Sequence, residues 1–261
     1  MAIWALVTGA SEGLGHEFAT LAAKDGFDVI LTARQTDKLE AHAKSLRRAY
    51  NVAVEVLPAD LCNPAEVEAL WQQASKNRQI GVLVNNAGLG RNGAFADPGG
   101  WPREQASISV NIVAATILMK HAATHMQAQG TGRILNIASV AGFFAGPNMA
   151  VYHATQAYLL SLSEAVSEEL SGTGVTVTAL CPGATDTQFF ASDDADKASF
   201  LSRFFSRSSA EVVATKGWAA MTKGRRIYVH GVGNKLFAFL PRLLPRRVMP
   251  FFMGQLWKRR R

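Results

Sequence analysis

The chain has 261 residues, 48% of them hydrophobic and only 18% charged, with no Pro-, Gly- or Ser-rich stretch; that excludes global disorder and points to a large core or an apolar interface. Cys62 and Cys181 are the only cysteines, too few for a disulfide framework or a thiolate zinc site, and each ends an apolar run, so two buried free thiols and no metal centre are expected. The net charge is +7, yet residues 1–211 carry all 20 acids and 15 of the 27 Lys and Arg, a net of −5. The basic excess therefore belongs to a tail, and a nucleic-acid binder, which spreads its basic surface over the fold, is not expected.

No run approaches the ~18 consecutive apolar residues of a spanning helix, and residues 2–7 lack a basic leader, so the expectation is a cytoplasmic protein rather than a secreted or integral membrane one. Strand-like runs alternate with helix-period segments: 2–8, a helix from about Gly13, then 27–32, 52–57, 80–85, 133–138, 175–180 and 226–229. That grammar predicts a doubly wound α/β domain, a mostly parallel Rossmann-type sheet of about seven strands with helices on both faces. Asn63-Pro64-Ala65-Glu66 offers an N-cap, an N1 proline and an acidic N3, and Ser208-Ser209-Ala210-Glu211 resembles a capping box. One domain is expected over 1–233, interrupted at 184–207 by a partly apolar lid bearing an acidic run, with a basic, apolar extension over 234–261.

Directly after the first strand, Thr8-Gly9-Ala10-Ser11-Glu12-Gly13-Leu14-Gly15 places three glycines where a sharp turn and a helix N-terminus can cradle a pyrophosphate. At the end of the second strand stands Arg34 rather than a carboxylate. A guanidinium suits a ribose 2'-phosphate, so NADP(H) is expected ahead of NAD(H), with Glu12 counting mildly against a phosphate nearby. Asn86, Ala87 and Gly88 follow the fourth strand at the carboxyl end of the sheet, the crevice where open α/β sheets bind ligands.

Taken together, TGxxxGxG at 8–15, NNAG at 85–88, Asn111, Ser139, Tyr152 and Pro182-Gly183 resemble, in order and spacing, a short-chain dehydrogenase/reductase over about residues 2–230. The resemblance implies that Ser139 hydrogen-bonds a substrate carbonyl oxygen and that Tyr152 is the general acid/base for it, hydride coming from the nicotinamide. It further implies that Asn111 holds a water of the proton relay, that Asp60 and Leu61 lie near the adenine, and that Pro182, Gly183 and Thr187 orient the carboxamide. A homodimer or homotetramer is implied too, in keeping with the low charged fraction.

The family pattern Tyr-x-x-x-Lys is broken, because the chain reads Tyr152-His153-Ala154-Thr155-Gln156. Positions i and i+4 share a helix face; Gln156 can hold the ribose hydroxyls but puts no charge near the tyrosine oxygen. A unit charge about 5 Å from a phenolate, at an effective dielectric of about 20, is worth about 3 kcal/mol, or roughly two pKa units. Its loss slows chemistry limited by proton transfer by roughly two orders of magnitude. A reductase that works with glutamine, a cofactor-binding sensor or scaffold without turnover, and a Lys-to-Gln form of an active enzyme all remain open; His153, at i+1, is not a replacement base.

Phe143, Phe144 and Met149, with Phe189 and Phe190 of the lid, are the candidates to line the substrate cleft and predict a bulky apolar or aromatic carbonyl compound. In the extension, apolar clusters alternate with Arg242, Arg246, Arg247 and 258–261, while Pro241, Pro245 and Pro250 prevent one continuous helix. Packing on the domain or a partner subunit and peripheral contact with an anionic membrane are both compatible with that pattern.

Overall fold

In a computed structural model that describes residues 2–186 and 208–258, near-continuous apolar runs form strands buried on both faces, as parallel sheets require. β1 (Ile3–Thr8) leads through the glycine turn into α1 (Gly13–Lys24); β2 (Asp28–Thr32) is followed by α2 (Thr36–Tyr50), and β3 (Val54–Val56) by α3 (Pro64–Ser75). After β4 (Gln79–Asn85) come α4 (Trp101–Ile108), a π-helical turn (Ser109–Ala114) and α5 (Ala115–Gln129). β5 (Gly132–Ile137), α6 (Ala150–Glu169) and β6 (Val175–Cys181) complete the second half of the crossover pattern. Beyond the short β7 (Thr185–Asp186) and β8 (Ser208–Ser209), the chain continues through α7 (Ala210–Thr222), β9 (Ile227–Val229), α8 (Val232–Phe239) and α9 (Val248–Lys258).

Seven strands pair in the order β3-β2-β1-β4-β5-β6-β9, every pairing parallel. The order reverses between β1 and β4, which puts a ligand crevice at their carboxyl ends. An additional two-stranded parallel ladder, β7 with β8, brings Thr185 opposite Ser208, a pairing too short for periodicity to signal; the expected lid beyond Asp186, with Thr187, Phe189 and Phe190, lies outside the described residues.

Each helix is placed by its apolar stripe. α2 buries Leu39, His42, Ala43 and Leu46, an i, i+3, i+4, i+7 set, while α1 lays Ala19, Ala22 and Ala23 on the same side of the sheet, with Val213, Trp218 and Met221 of α7 beside them. On the other side Trp71 of α3 and Leu118, Met119 and Met126 of α5 cover β4 and β5. The helical run Pro98–Gln129 has the length and apolarity of a membrane span by composition alone, and here that apolarity is what α5 buries against the sheet.

The predicted cap of α3 forms as expected: Asn63 Oδ1 accepts from the Ala65 amide at 3.1 Å, and Glu66 reaches back to the Asp60 amide at 2.8 Å. At α7 the cap is Ser209 rather than Ser208, its Oγ accepting from the Val212 amide at 3.3 Å. The Ser208 hydroxyl is engaged elsewhere, 3.1 Å from His230 Nε2. A second correction concerns the thiols. Cys181 is fully buried, its pKa pushed up to about 12 by desolvation, but Cys62 is only half-buried, because the loop after β3 opens onto the crevice.

Candidate active site

At the switch point lies a cavity of about 440 Å³, running from the glycine turn to α6. Its floor is backbone held by one side chain: Thr8 Oγ1 donates to Val84 O at 3.2 Å and accepts from the Asn86 and Ala87 amides, both at 2.9 Å. Asn86 Nδ2 returns the link by donating to Thr8 O at 2.9 Å and Gly9 O at 3.2 Å. Two glycines are obligatory at this crossing. Gly9 has φ +64 with Asn86 Nδ2 2.8 Å from where a Cβ would stand, and a Cβ on Gly15 would lie 2.2 Å from Gly9 O. Gly15 thus seats helix on strand and does not itself line the cavity.

Ser11, Glu12, Gly13 and Leu14 face the cavity at the start of α1. Glu12 occupies the N-cap without making a side-chain cap bond, and no acid follows in the first turn, so the first-turn amides have no internal acceptor and suit an anion. The Glu12 carboxylate is taken instead by Lys38, 2.8 Å away and solvent-exposed. Arg34 is exposed at the rim, across from Asp60, Leu61 and Cys62. The Cys62 thiol is pushed up by desolvation first and then by Asp60, with Arg34 pulling the other way.

Toward α6 the cavity is lined by Gly88, Ser139, Tyr152, Gln156, Pro182 and Gly183. Ser139 follows β5 by two residues and caps a 3-10 turn, Val140–Phe143, its Oγ accepting from the Ala141 amide at 3.1 Å. The same hydroxyl is hydrogen-bonded to Tyr152; burial raises the tyrosine pKa and that bond lowers it, with no cation among the causes. Gln156 is 4% exposed and its Oε1 has no hydrogen-bond partner among the described residues. A buried amide oxygen without a partner at a cavity wall is the signature of a group that expects a donor from a ligand. With the open α1 amides, it gives the cavity groups that could hold a dinucleotide: main-chain donors at Ser11–Leu14, Arg34 and Asp60 at the rim, and Tyr152 and Gln156 at the far end.

Asn111 does not line the cavity. In the π-helical turn it is 2% exposed and ties elements together: Oδ1 accepts from Leu89 N and Nδ2 donates to Leu89 O, each at 2.8 Å, and Nδ2 also reaches Thr155 Oγ1 at 2.9 Å. Thr155 in turn donates to Tyr152 O at 2.8 Å, a connection with no signal in the sequence. A second buried chain, Asn85 Nδ2 to Asn136 Oδ1 at 3.0 Å and Asn136 Nδ2 to Ser163 Oγ at 2.8 Å, pins β4, β5 and α6 below the site. His153 faces away from the cavity, Nδ1 bonded to Phe144 O at 2.8 Å, its pKa lowered by burial.

Phe143, Phe144 and Met149 do not line the cavity either. Phe143 packs into the core under α6, Phe144 meets His153 and Phe237 edge-on with centroids at 5.1 Å and 4.7 Å, and Met149 is buried at the start of α6. Arg103 of α4 does line it; sequence reasoning missed it, since an isolated arginine in a helix carries no motif.

Residues 3–198 match the short chain dehydrogenase family, and the chain belongs to that family of nicotinamide-dependent oxidoreductases. Among curated proteins, the 7beta-hydroxysteroid dehydrogenase of Collinsella aerofaciens is 32% identical over 184 residues, 70% of this chain and 69% of that protein. A short-chain dehydrogenase from Sphingobium yanoikuyae in complex with NADPH superposes with a TM-score of 0.82 at 31% identity, covering 93% of both chains. The bulky-bulky ketone specific alcohol dehydrogenase of Comamonas testosteroni superposes at 0.76 with 26% identity, over 95% of this chain and 98% of that one.

Proposed function

We propose that this oxidoreductase uses NADP(H) to interconvert a carbonyl and an alcohol on a bulky apolar or aromatic substrate. The observation that carries the reading is that Ser139 and Tyr152 meet at the wall of the cavity that begins at the glycine turn. A nicotinamide cofactor held there would supply the hydride for reduction, or accept it in oxidation, at the carbonyl carbon. Ser139 donates to the carbonyl oxygen and holds it against Tyr152; the Tyr152 hydroxyl passes its proton to that oxygen during reduction and recovers it during oxidation. Gln156 binds the ribose hydroxyls, and Asn111, through Thr155, fixes the backbone of Tyr152 and so acts as a positioning residue.

Arg34, exposed at the adenosine rim, supports the preference for a 2'-phosphate, and Glu12 does not oppose it because Lys38 neutralises it. We place the protein in the cytoplasm as a homodimer or homotetramer. The second reading, a nicotinamide-binding sensor without turnover, draws on one observation: an uncharged glutamine, Gln156, stands at the cavity wall four residues after Tyr152. Loss of NADPH absorbance against a panel of bulky ketones, run with the native chain and Gln156→Lys, separates the two. Turnover by either supports the oxidoreductase; cofactor binding without turnover by both supports the sensor.

A further inference from the structure

The C-terminal extension packs on its own domain with one side and leaves the other apolar. Ala238, Met249 and Met253 are buried, Phe237 stacks edge-on against Phe144, Asn234 abuts Gly183 at the cavity wall, and Gly254 approaches Pro147. These contacts seat the extension on the two loops that bound the nicotinamide end of the cavity. On the outward side of α8, Val232, Leu236 and Phe239 stand at i, i+4 and i+7, with exposures of 84%, 69% and 49%. Leu243, Phe251 and Phe252, further along the extension, are exposed as well, so that six of the eleven exposed large hydrophobics among the described residues fall within 232–252. An ordinary surface helix turns such a stripe inward; this one already has its inward side filled.

Charge says what covers it. Lys235 lies within the α8 stripe, at i+3 from Val232, and Arg242, Arg246 and Arg247 are exposed beside the other apolar residues. None of the four makes an ion pair among the described residues, and no acidic residue follows Glu211 in the chain. A second copy of the same surface would set like charges against each other. A phospholipid surface of negative charge satisfies both halves: apolar side chains enter the acyl boundary while Lys and Arg extend to the headgroups. Pro241 and Pro245 keep the helices short, so the geometry is that of lying on a bilayer rather than crossing it.

We infer that the face formed by Val232, Leu236, Phe239, Leu243, Phe251 and Phe252 with their flanking cations docks the molecule on an anionic bilayer, bringing the nicotinamide end of the cavity next to the membrane surface. The inference stands independently of the oxidoreductase reading. Its test is co-sedimentation of the full chain with vesicles of phosphatidylcholine alone and with about a third phosphatidylserine. Binding to the anionic vesicles, weakened by salt, is expected, with each cation contributing roughly fivefold. Arg246→Glu with Arg247→Glu, and separately Phe251→Glu with Phe252→Glu, should each lower partitioning at least tenfold. Both pairs are solvent-exposed, so unchanged thermal melts should confirm that the fold is kept. No pelleting of the native chain, or equal pelleting of the variants, overturns the inference. So does self-association in light scattering that the Phe251→Glu, Phe252→Glu form abolishes in the absence of vesicle binding, which would make the occupant a second copy. Tyr152→Phe should bind vesicles as the native chain does, whether or not any ketone is turned over.

Discussion

The end of the cavity proposed for phosphate and the end proposed for catalysis are made of different material. At the phosphate end the wall is main chain: Gly9 in a left-handed turn, the open amides of α1, and the amides of Asn86 and Ala87 drawn onto Thr8. At the catalytic end the wall is side chains on separate elements, Ser139 after β5 and Tyr152 and Gln156 on α6, with Asn111 linked through Thr155 to the Tyr152 carbonyl. A backbone site tolerates changes of side chain but not a Cβ where none fits; a side-chain site tolerates backbone variation but fails with one wrong functional group. Substitutions at the two ends should therefore fail differently, the first in binding or folding and the second in chemistry alone.

The largest effect is expected at Tyr152. Tyr152→Phe removes the proton donor while keeping the ring, so kcat for ketone reduction should fall about 10^3-fold with the Kd for NADPH within a few-fold of native. Steady-state kinetics with a separate fluorescence titration of cofactor would check the split; a parallel loss of cofactor affinity would mean the two ends are not separable.

Behind the phosphate end, His42 of α2 stacks on His16 of α1 at 3.5 Å, and desolvation first, then the neighbouring His16, lowers its pKa to about 4. The groups packed against it are His16, Thr20, whose hydroxyl is 3.3 Å from Nε2, and the Ala10 backbone. A folded-state pKa below the unfolded value of 6.5 contributes stability that is fully present above pH 6.5 and is lost as pH falls toward 4, about 3 kcal/mol in all. Urea unfolding at pH 7 and pH 4 should show that loss, and His42→Gln should remove this part of the pH dependence. An unchanged pH profile would show that the imidazole does not titrate against the fold.

How much of this could be read from the sequence follows from the same contrast. The glycine turn, the seven strands and the Asn63 cap were legible because each depends on residues adjacent in the chain, whose dihedral and hydrogen-bonding limits act locally. The role of Gly15 as a seat for α1, and of Thr8 as the hub of the floor, needed the partner at Asn86, more than 70 residues away. Phe143, Phe144 and Met149 were reasonable candidates by position between Ser139 and Tyr152, yet a phenylalanine fills core and cleft equally well. The contacts of Phe237 and the α6 core, rather than chain proximity, decided where two of them went. Asn111 was singled out through the resemblance, as the holder of a relay water, but its partners Leu89 and Thr155 lie 22 and 44 positions away.

Gln156→Lys sharpens the catalytic side of the comparison. A cation beside the Tyr152 oxygen should lower the tyrosine pKa by roughly two units and raise turnover by about 100-fold where proton transfer limits the rate. The pH profile carries the sign: alcohol oxidation needs the phenolate, so its rising limb should move to lower pH in the lysine form, while reduction at neutral pH gains without such a displacement. Equal rates and superimposable profiles in both forms would show that the glutamine suffices and that charge is not what the tyrosine lacks.

The smallest effect is expected at Arg34, where the phosphate end depends on a side chain instead of on backbone. An exposed guanidinium meeting a 2'-phosphate gains a charge-assisted bond weakened by solvent, so Arg34→Ala should raise the Kd for NADPH about tenfold and leave that for NADH unchanged. Glu12→Gln, which releases Lys38 from its 2.8 Å partner, should move NADPH affinity the opposite way by a few-fold and lose that gain at high salt. Because the proposed pyrophosphate site is made of main-chain amides that Arg34→Ala does not touch, the effect of the arginine must vanish for NADH. A comparable loss of NADH binding in Arg34→Ala would mean that the arginine supports the loop itself, and that the backbone end of the cavity is less independent of its side chains than the glycine geometry implies.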